Sequence, residues 1–450
     1  MKSCVWVRGI LCGLGIVSPF VLSGCETKKT PLVGERIPVS ALQSGVLRAS
    51  QTTHPLQALS SPVKGDSWLQ PDRVASHDKG HVAFEPLAGE TLQVITSTGL
   101  SGSSDAARLL ETPVLTKEAV FLLDDRGCVV KADRKTGDAL FRVSVMPDGK
   151  EGEAALGGGC AVHQEGSEST VFVATPYGEL VAVNGETGAI LWRQPLQSPA
   201  RCAPTLAQDR LYVATLQNQL QVFDLKGQLL WTHGGMPEML GILGVAAPAV
   251  SNDVVVVTYT SGEVFALRAD TGSMLWSDIV SGPRRLGEAQ SVPHVRANPV
   301  IHGDSVYVSS YSGQLVAFNL HNGHRLWEVP AATLFTPVIE GETLFVLTTT
   351  QEIAALDRTS GHVRWVHPLA SLKLSSAESA SLTWAGPLLA GGRLYLLSER
   401  GDVVAFDPLR GTPVTSVPAV YLDDSFSLPL LAVEGHLYAL SASGRLYTIR

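Results

Sequence analysis

Basic residues are in deficit in this chain, and charged residues of either sign are scarce. Lys and Arg number 34 against 42 Asp and Glu, the net charge is −8, and charged residues make up only 17% of the 450 positions. A nucleic-acid-binding domain would show a basic face. The excess of acidic over basic residues therefore argues against nucleic acid as a partner. The 45% apolar content suits a β-rich protein with a large core.

Motifs that carry catalysis or bind cofactors are also missing. The chain has no Gly-x-Ser-x-Gly, His-Glu-x-x-His, Walker or Cys-x-x-Cys sequence. Residues 157–159 (Gly-Gly-Gly) precede a predicted strand and not a helix, so they do not form a phosphate-binding turn. The twelve His residues are scattered. We therefore predict no enzymatic activity, no bound metal and no other cofactor.

A short apolar run near the N-terminus predicts export. Lys2 and Arg8 flank the start of apolar residues 9–22, and Leu22-Ser-Gly-Cys25 follows. This order is typical of a secretory signal peptide, here residues 1–24. Its ending resembles the bacterial lipobox, which implies that Cys25 is the lipid-modified (palmitate-carrying) first residue of the mature chain. The alternative is an uncleaved anchor helix over residues 5–22.

The segment after Cys25 shows no sustained hydrophobic period. We predict that residues 25–79 form a lipid-anchored flexible tether, in which a short ordered patch around Trp68 is the one alternative. The tether would let the folded part, residues 80–450, stand off the membrane surface. Glu26 after Cys25 keeps the resemblance to outer-membrane lipoproteins, which implies the periplasmic face of the outer membrane.

One nine-residue frame recurs along the rest of the chain. It usually starts with Asp or Asn, and it carries Gly at its fifth position and an aromatic residue at its ninth. Full copies lie at residues 133–141, 184–192, 268–276, 319–327 and 357–365; a shortened copy lies at 224–231, and a copy without the aromatic at 407–415. The frame residues to which we assign a structural role are Asp133, Gly137, Phe141, Gly188, Trp192, Trp231, Gly272, Trp276, Gly323, Trp327, Gly361 and Trp365. Such periodic copies indicate a repeat protein.

The chemistry of the frame is structural. The Asp or Asn side chain can accept from backbone N–H groups two or three residues on, and Gly takes a positive φ at little steric cost. The aromatic ring is expected to pack against the neighbouring repeat.

The repeats predict the fold class. Each unit contains four short runs of β-branched or aromatic residues separated by turns, and the steps from Trp192 onward are 39, 45, 51 and 38 residues. Four strands at this period describe a propeller blade. We predict an all-β, eight-bladed β-propeller of four-stranded antiparallel blades. The eighth unit has only three strands before Arg450, so an N-terminal strand must close it: residues 91–96, or alternatively residues 81–84.

Three cysteines follow Cys25, namely Cys128, Cys160 and Cys202. Cys160 and Cys202 occupy equivalent places in successive inner strands, so a disulfide between them is one possibility. Neighbouring blades diverge, and a disulfide needs a Cα separation under about 7 Å. Buried free thiols are the favoured alternative.

The repeated frame resembles that of the PQQ-like β-propellers, and with the lipobox and eight units the chain resembles the BamB-like outer-membrane assembly lipoproteins. That resemblance implies a non-enzymatic scaffold of the β-barrel assembly (BAM) complex. Implied partners are the POTRA domains of a BamA-like protein, other BAM subunits and nascent outer-membrane proteins. Two other functions stay open: a membrane-tethered, PQQ-dependent quinoprotein or ligand-binding propeller, and a general envelope-organising lipoprotein.

The resemblance also implies two partner-binding loops. The first matches residues 240–248, where the apolar Leu240 and Ile242 are kept but Leu243 replaces an Arg. The second is acidic in the family, whereas the matching positions here are His294 and Arg296. The long connection before it also carries Arg284 and Arg285, and loops on a rigid scaffold commonly carry function. The structural alternative is that the apolar loop only plugs the end of the propeller.

Removal of residues 80–98 tests the predicted closure. Without the N-terminal strand the eighth blade would present an unpaired edge, so we expect a sharply lower melting temperature by circular dichroism. An unchanged melting temperature would show that the ring closes in another way.

Overall fold

Short runs of β-branched and aromatic residues, broken by turns, form strands throughout the described chain. The computed structural model describes residues 47–49, 58–86, 92–100, 111–150, 157–237, 244–280, 295–311, 313–372, 374, 382–414 and 420–450. These residues form 32 strands in eight four-stranded antiparallel sheets, with one short 3-10 helix at Leu369–Ser371. The predicted eight-bladed propeller is confirmed. No helix among these residues is long and apolar enough to cross a bilayer.

Blades one to seven each take four consecutive strands, which run in order from the inner to the outer position. Blades one to three are β2 (Val114–Leu115), β3 (Ala119–Leu123), β4 (Cys128–Asp133), β5 (Ala139–Ser144); β6 (Gly159–Glu165), β7 (Glu168–Ala174), β8 (Glu179–Asn184), β9 (Ile190–Pro195); and β10 (Thr205–Ala207), β11 (Arg210–Thr215), β12 (Gln219–Asp224), β13 (Leu229–Gly234). Blades four and five are β14 (Ala249–Ser251), β15 (Val254–Thr258), β16 (Glu263–Arg268), β17 (Met274–Ile279); and β18 (Val300–His302), β19 (Ser305–Ser309), β20 (Leu315–Asn319), β21 (Arg325–Val329). Blades six and seven are β22 (Val338–Glu340), β23 (Thr343–Leu347), β24 (Glu352–Asp357), β25 (Val363–Pro368); and β26 (Trp384–Ala390), β27 (Arg393–Ser398), β28 (Asp402–Phe406), β29 (Val420–Tyr421).

Both termini close the ring, as predicted. Blade eight consists of β30 (Leu431–Val433), β31 (His436–Leu440), β32 (Arg445–Ile449) and, as its outer strand, β1 (Val94–Gly99). β1 runs antiparallel to β32, with Val94 opposite Ile449 and Gly99 opposite Arg445. The first predicted closing segment, residues 91–96, overlaps this strand, which continues to Gly99.

Burial along the strands follows from face-to-face packing of the blades. Strand β15 reads Val-Val-Val-Val-Thr and is buried throughout, because a middle strand has a blade on each side. The outer strand β13 alternates between exposed and half-buried positions. The core is accordingly a set of apolar clusters in the seams between blades, such as the one that joins Trp276 to Phe318.

The repeated frame forms a clasp between successive blades. Asp133 Oδ1 accepts from the N–H groups of Lys135 and Thr136, both at 2.8 Å. In blades one to six the frame aromatic ring lies on the frame Gly of the next blade. In blades two to six, where that ring is Trp, the indole N–H also donates to a carbonyl in the same turn. These donations are Trp192 to Leu225 (3.1 Å), Trp231 to Ala269 (3.2 Å), Trp276 to Leu320 (2.7 Å), Trp327 to Arg358 (2.9 Å) and Trp365 to Pro408 (3.0 Å).

Bulges interrupt the outer strands of seven blades. In each of them one residue of the outer strand has no partner in the register. The bulged residues are Ile95, Leu140, Leu191, Leu230, Leu275, Leu326 and Arg364. The six aliphatic side chains are exposed. Bulges at an edge hinder pairing with a further strand.

Residues 58–86, which we call the strap, run around the central channel before the chain reaches β1. At blade one, Trp68 N donates to Leu115 O (2.6 Å), and Leu115 N donates to Trp68 O (2.9 Å). At blade seven, Val82 N donates to Leu389 O (3.0 Å). The alternative closing segment, residues 81–84, is thus part of the strap and pairs with an inner strand.

The strap corrects the prediction that residues 25–79 are a flexible tether. Residues 58–79 are held on the propeller by hydrogen bonds from their backbone groups, which hydrophobic periodicity does not reveal. The boundary drawn at residue 80 falls inside the strap. The predicted signal peptide (1–24) and Cys25 lie outside the described residues.

The three cysteines of the propeller form no disulfide with one another. Cys128, Cys160 and Cys202 are free thiols, and the last two are buried. Burial raises the pKa of the Cys160 thiol to about 12, which makes it a poor nucleophile.

Two glycines offer a test of the clasp. Gly323 and Gly303 both have positive φ (71° and 56°), but only a Cβ at Gly323 would strike Trp276, at 2.7 Å. We expect Gly303→Ala to cost about 1 kcal/mol for backbone strain, and Gly323→Ala to cost a further 1–3 kcal/mol or so for overpacking. Urea unfolding measures both, and equal losses would contradict the clasp.

Candidate functional site

Among the described residues, the two ends of the central channel are lined by different segments. Strand direction alternates within each four-stranded blade, so the outer strand ends at the face where the inner strand begins. The connections between blades therefore all lie at that face, which we call the mouth face. The strap crosses the channel on the far side and supplies Pro71, Asp72 and Lys79 as the floor of a small cavity of about 80 Å³.

Most of the predicted partner-binding residues lie outside the described residues. They belong to the connection between blades three and four or to the one between blades four and five, and they are Leu240, Ile242, Leu243, Arg284, Arg285 and His294. Arg296 is described, half-buried at the mouth of the channel.

The described ends of these two connections meet at Arg296. Gly244 follows the first connection, and a Cβ added to it would lie 3.0 Å from Arg296 Nε. Gly244 has a φ of +105°, a conformation that a side chain would strain. The C-terminal ends of both connections therefore return to the scaffold at one point at the channel mouth.

A buried ion pair forms the floor of the cavity. Lys79 Nζ lies 2.9 Å from Asp72 Oδ1, and Asp72 Oδ2 accepts from Thr336 Oγ1 (2.6 Å) and Asn298 Nδ2 (2.8 Å). Burial acts to raise the pKa of Asp72, but Lys79, His77 and Thr336 outweigh it and leave the pKa below its ordinary value. The strap is thus tied to blades five and six by a satisfied carboxylate.

Glu111 and Arg296 face each other across the mouth. Burial raises the pKa of Glu111 to about 8, with Arg296 acting against the shift and Asp72 acting with it. Burial also lowers the pKa of the Arg296 guanidinium, and Glu111 opposes that change. The mouth therefore carries a carboxyl group that changes charge near neutral pH beside a permanent cation.

A larger cleft extends from Arg296 across blades six to eight. It measures about 470 Å³, and its walls include Phe335, Trp384, Phe426 and Arg400. Trp384 is 3% exposed, and its Nε1 has no hydrogen-bond partner among the described residues. Mixed aromatic and cationic walls of this size suit the binding of side chains from a partner.

No motif in the sequence points to Glu111 or Trp384, and only the ordered patch around Trp68, given as an alternative, falls in the strap. One signal was available for Trp384, a Trp outside the repeated frame at the start of an inner strand. Within the described ranges, no three His, Cys, Asp or Glu side chains are grouped closely enough to hold a metal ion.

Glu111→Gln tests the charge balance of the mouth. Because the folded-state pKa of about 8 exceeds the ordinary 4.5, the folded chain binds more protons between these pH values. The contribution of Glu111 to the free energy of unfolding is therefore complete below pH 4.5 and is lost as the pH rises through 8. The free energy of unfolding falls over this range by at most about 1.4 kcal/mol per pH unit. We expect the free energy of unfolding of Glu111→Gln, measured by urea unfolding from pH 4 to 9, to lack this dependence on pH.

The exposed Glu118→Gln variant controls for removal of a carboxylate as such. An unchanged slope in Glu111→Gln would contradict the burial of this group.

Among proteins of known sequence, the chain is similar to assembly factors of the outer membrane. It is 26% identical over 249 residues to outer membrane protein assembly factor BamB of Burkholderia pseudomallei, covering 55% of this chain and 61% of that protein. It is 24% identical over 219 residues to BamB of Shewanella oneidensis, covering 48% and 55%. The chain thus spans less than two thirds of the length of these relatives.

Solved structures share the fold. BamB from Moraxella catarrhalis superposes with a TM-score of 0.66 at 18% identity, covering 80% of this chain and 100% of that one. A europium-containing methanol dehydrogenase superposes with a TM-score of 0.63 at 12% identity, covering 86% and 98%. At these identities the likeness concerns the fold alone.

The decisive match is to a protein family. The family described as "Outer membrane protein assembly factor BamB" matches residues 125–367, more than half of the chain and most of its repeat frames. The chain therefore belongs to the BamB family of PQQ-like repeat proteins.

Proposed function

We propose that the protein is a non-enzymatic lipoprotein scaffold of the outer-membrane β-barrel assembly complex. Lipidated Cys25 would hold it on the periplasmic face of the outer membrane. There it would bind the POTRA domains of a BamA-like subunit together with other BAM subunits, and assist insertion of nascent outer-membrane proteins. Membership of the BamB family supports this role.

The observation that carries the proposal is the meeting of two connections at one point. Gly244 and Arg296 end the connections from blade three to four and from blade four to five, and they are in contact at the channel mouth. A partner that engages one connection therefore meets the other. A rigid ring that presents two adjacent loops is suited to binding a folded domain.

The positive charge at the mouth face indicates which kind of partner surface it would bind. Arg296 at the mouth and Arg400 on the cleft wall are cationic, and Arg284 and Arg285 lie in the connection that ends at Arg296. The matching family position is acidic, so the charge here is reversed. We propose that the POTRA surface bound by this chain is acidic, because complementary charge sets specificity and association rate.

The rim of the propeller is a poorer docking surface for strands. Bulges at Leu191, Leu230, Leu275 and the equivalent positions interrupt the outer edges. Strand addition needs a regular row of free backbone groups. We therefore assign partner binding to the mouth face and not to the blade edges.

Substitutions on the two faces test the assignment. Arg296→Gln removes the charge at the mouth, and Leu240→Glu and Ile242→Glu place charge on the apolar connection. Each should lower recovery of a BamA-like partner from detergent-solubilised envelope about tenfold, which corresponds to about 1.4 kcal/mol. Mass spectrometry identifies and quantifies the captured proteins.

Arg268→Gln is the matched control, since Arg268 ends β16 at the opposite face and is exposed. It should leave capture unchanged. Equal capture by all four variants, each with a wild-type melting temperature, would remove the mouth face as the binding surface.

A further inference from the structure

The strap meets the blades in the order in which they occur in the chain. Gly65 contacts blade eight, and the contacts then advance by one blade at a time. The pairs are Gly65 with Glu434, Trp68 with Leu115, Leu69 with Val162, Gln70 with Leu206, Ala75 with Val250, Ser76 with Ile301, Lys79 with Thr336 and Val82 with Leu389. A single strap of 29 residues, 58–86, thus touches all eight blades.

The strap satisfies equivalent backbone groups in blades one, three, four and five. The second residue of the inner strand donates its N–H to the strap at Leu115 (2.9 Å), Leu206 (2.8 Å), Val250 (2.7 Å) and Ile301 (2.9 Å). These groups lie on the inward edge of each sheet, where no further strand pairs with them. Buried N–H groups without partners are costly, so ring closure depends on what fills the channel.

Individual side chains fix which part of the strap meets which blade. Asp78 Oδ2 lies 2.6 Å from His302 Nδ1, and His77 Nδ1 lies 3.0 Å from Pro299 O, both in or beside blade five. Lys79 reaches Thr336 before blade six. The inner edges repeat, but the strap does not, so each blade has its own position along it.

A repeat protein needs contacts that distinguish one blade from another of similar sequence. At six of the eight seams the clasp uses the same frame, so these clasps do not by themselves distinguish the correct neighbour from another blade. Misassembly of similar units is a characteristic failure of repeat chains. The strap also precedes blade one in the chain, so it is available before any blade has formed.

From these contacts we propose that the strap is an internal template for ring assembly. Blades dock on it in chain order, and β1 pairs with β32 after the inner edges have docked. This function concerns how the ring is built, and it is independent of the partner that the mouth face binds.

Refolding rates of two matched variants test the template. Gln70 Oε1 accepts from Leu206 N at 2.8 Å, and Gln221 Oε1 accepts from Gln197 N at 2.9 Å; both contacts involve blade three, but only the first involves the strap. The full chain carrying Cys25→Ser, so that no acyl chain is attached, is refolded from urea with Trp fluorescence as the signal. We expect Gln70→Ala to slow refolding by about threefold or more and to change unfolding by less than about twofold, as for a contact formed before the rate-limiting step.

Gln221→Ala controls for loss of an equivalent acceptor and should slow refolding less than Gln70→Ala. Faster unfolding of Gln70→Ala at an unchanged refolding rate would show that the strap docks after the ring closes, and would overturn the template. Unchanged rates in both directions would overturn it as well, because the strap would then contribute nothing.

A second measurement does not depend on any variant. In pulse-labelled hydrogen exchange during refolding, the N–H groups of Leu115, Val250 and Ile301 should become protected before those of β1. Protection of β1 first would contradict docking in chain order.

Discussion

The contact on which this structure depends is the indole ring of one blade seated on the glycine turn of the next. Trp276 shows its two requirements: a turn without a Cβ at Gly323 and a carbonyl, Leu320 O, 2.7 Å from the indole nitrogen. A blade cannot bury its faces alone, so each clasp stabilises two blades at once. Between blades eight and one, Thr98 of β1 takes the place of the ring and lies against Gly137. The N-terminal strand thus completes the same series of contacts.

Closing eight sheets into a ring creates a second constraint at its centre. The inner edges point into the channel, and their N–H groups require acceptors. The strap supplies them from its backbone carbonyls and, for Leu206, from the side chain of Gln70, and it crosses one end of the channel. Asp72 and Lys79 then form the floor of what remains. Among the described residues, Gly244 and Arg296 line the same cavity on the side of the mouth face.

The sequence allowed the ring to be predicted because the frame is periodic and its residues have fixed roles. Asp133 and Gly137 specify a turn whatever surrounds them, and counting the frames predicts the number of blades. The strap was missed because it has no period and binds mainly through carbonyls, such as those of Leu69 and Ala75. The residues of the candidate site could be predicted only in part from the sequence, for a related reason. Glu111 and Arg296 lie far apart in sequence, and only ring closure places them together.

The outer edges of the blades follow the repeated frame, whereas the connections between blades differ in length and sequence. The bulge before each frame aromatic is tied to the frame itself, so any copy of the frame also protects the edge of its blade. The proposed recognition then relies on the connections between blades, which the clasp leaves free in length and composition. Arg296 illustrates this freedom, since it ends such a connection while β18 begins at Val300 and keeps its place in blade five. A ring held mainly by one repeated clasp can therefore vary its connections while its architecture stays the same.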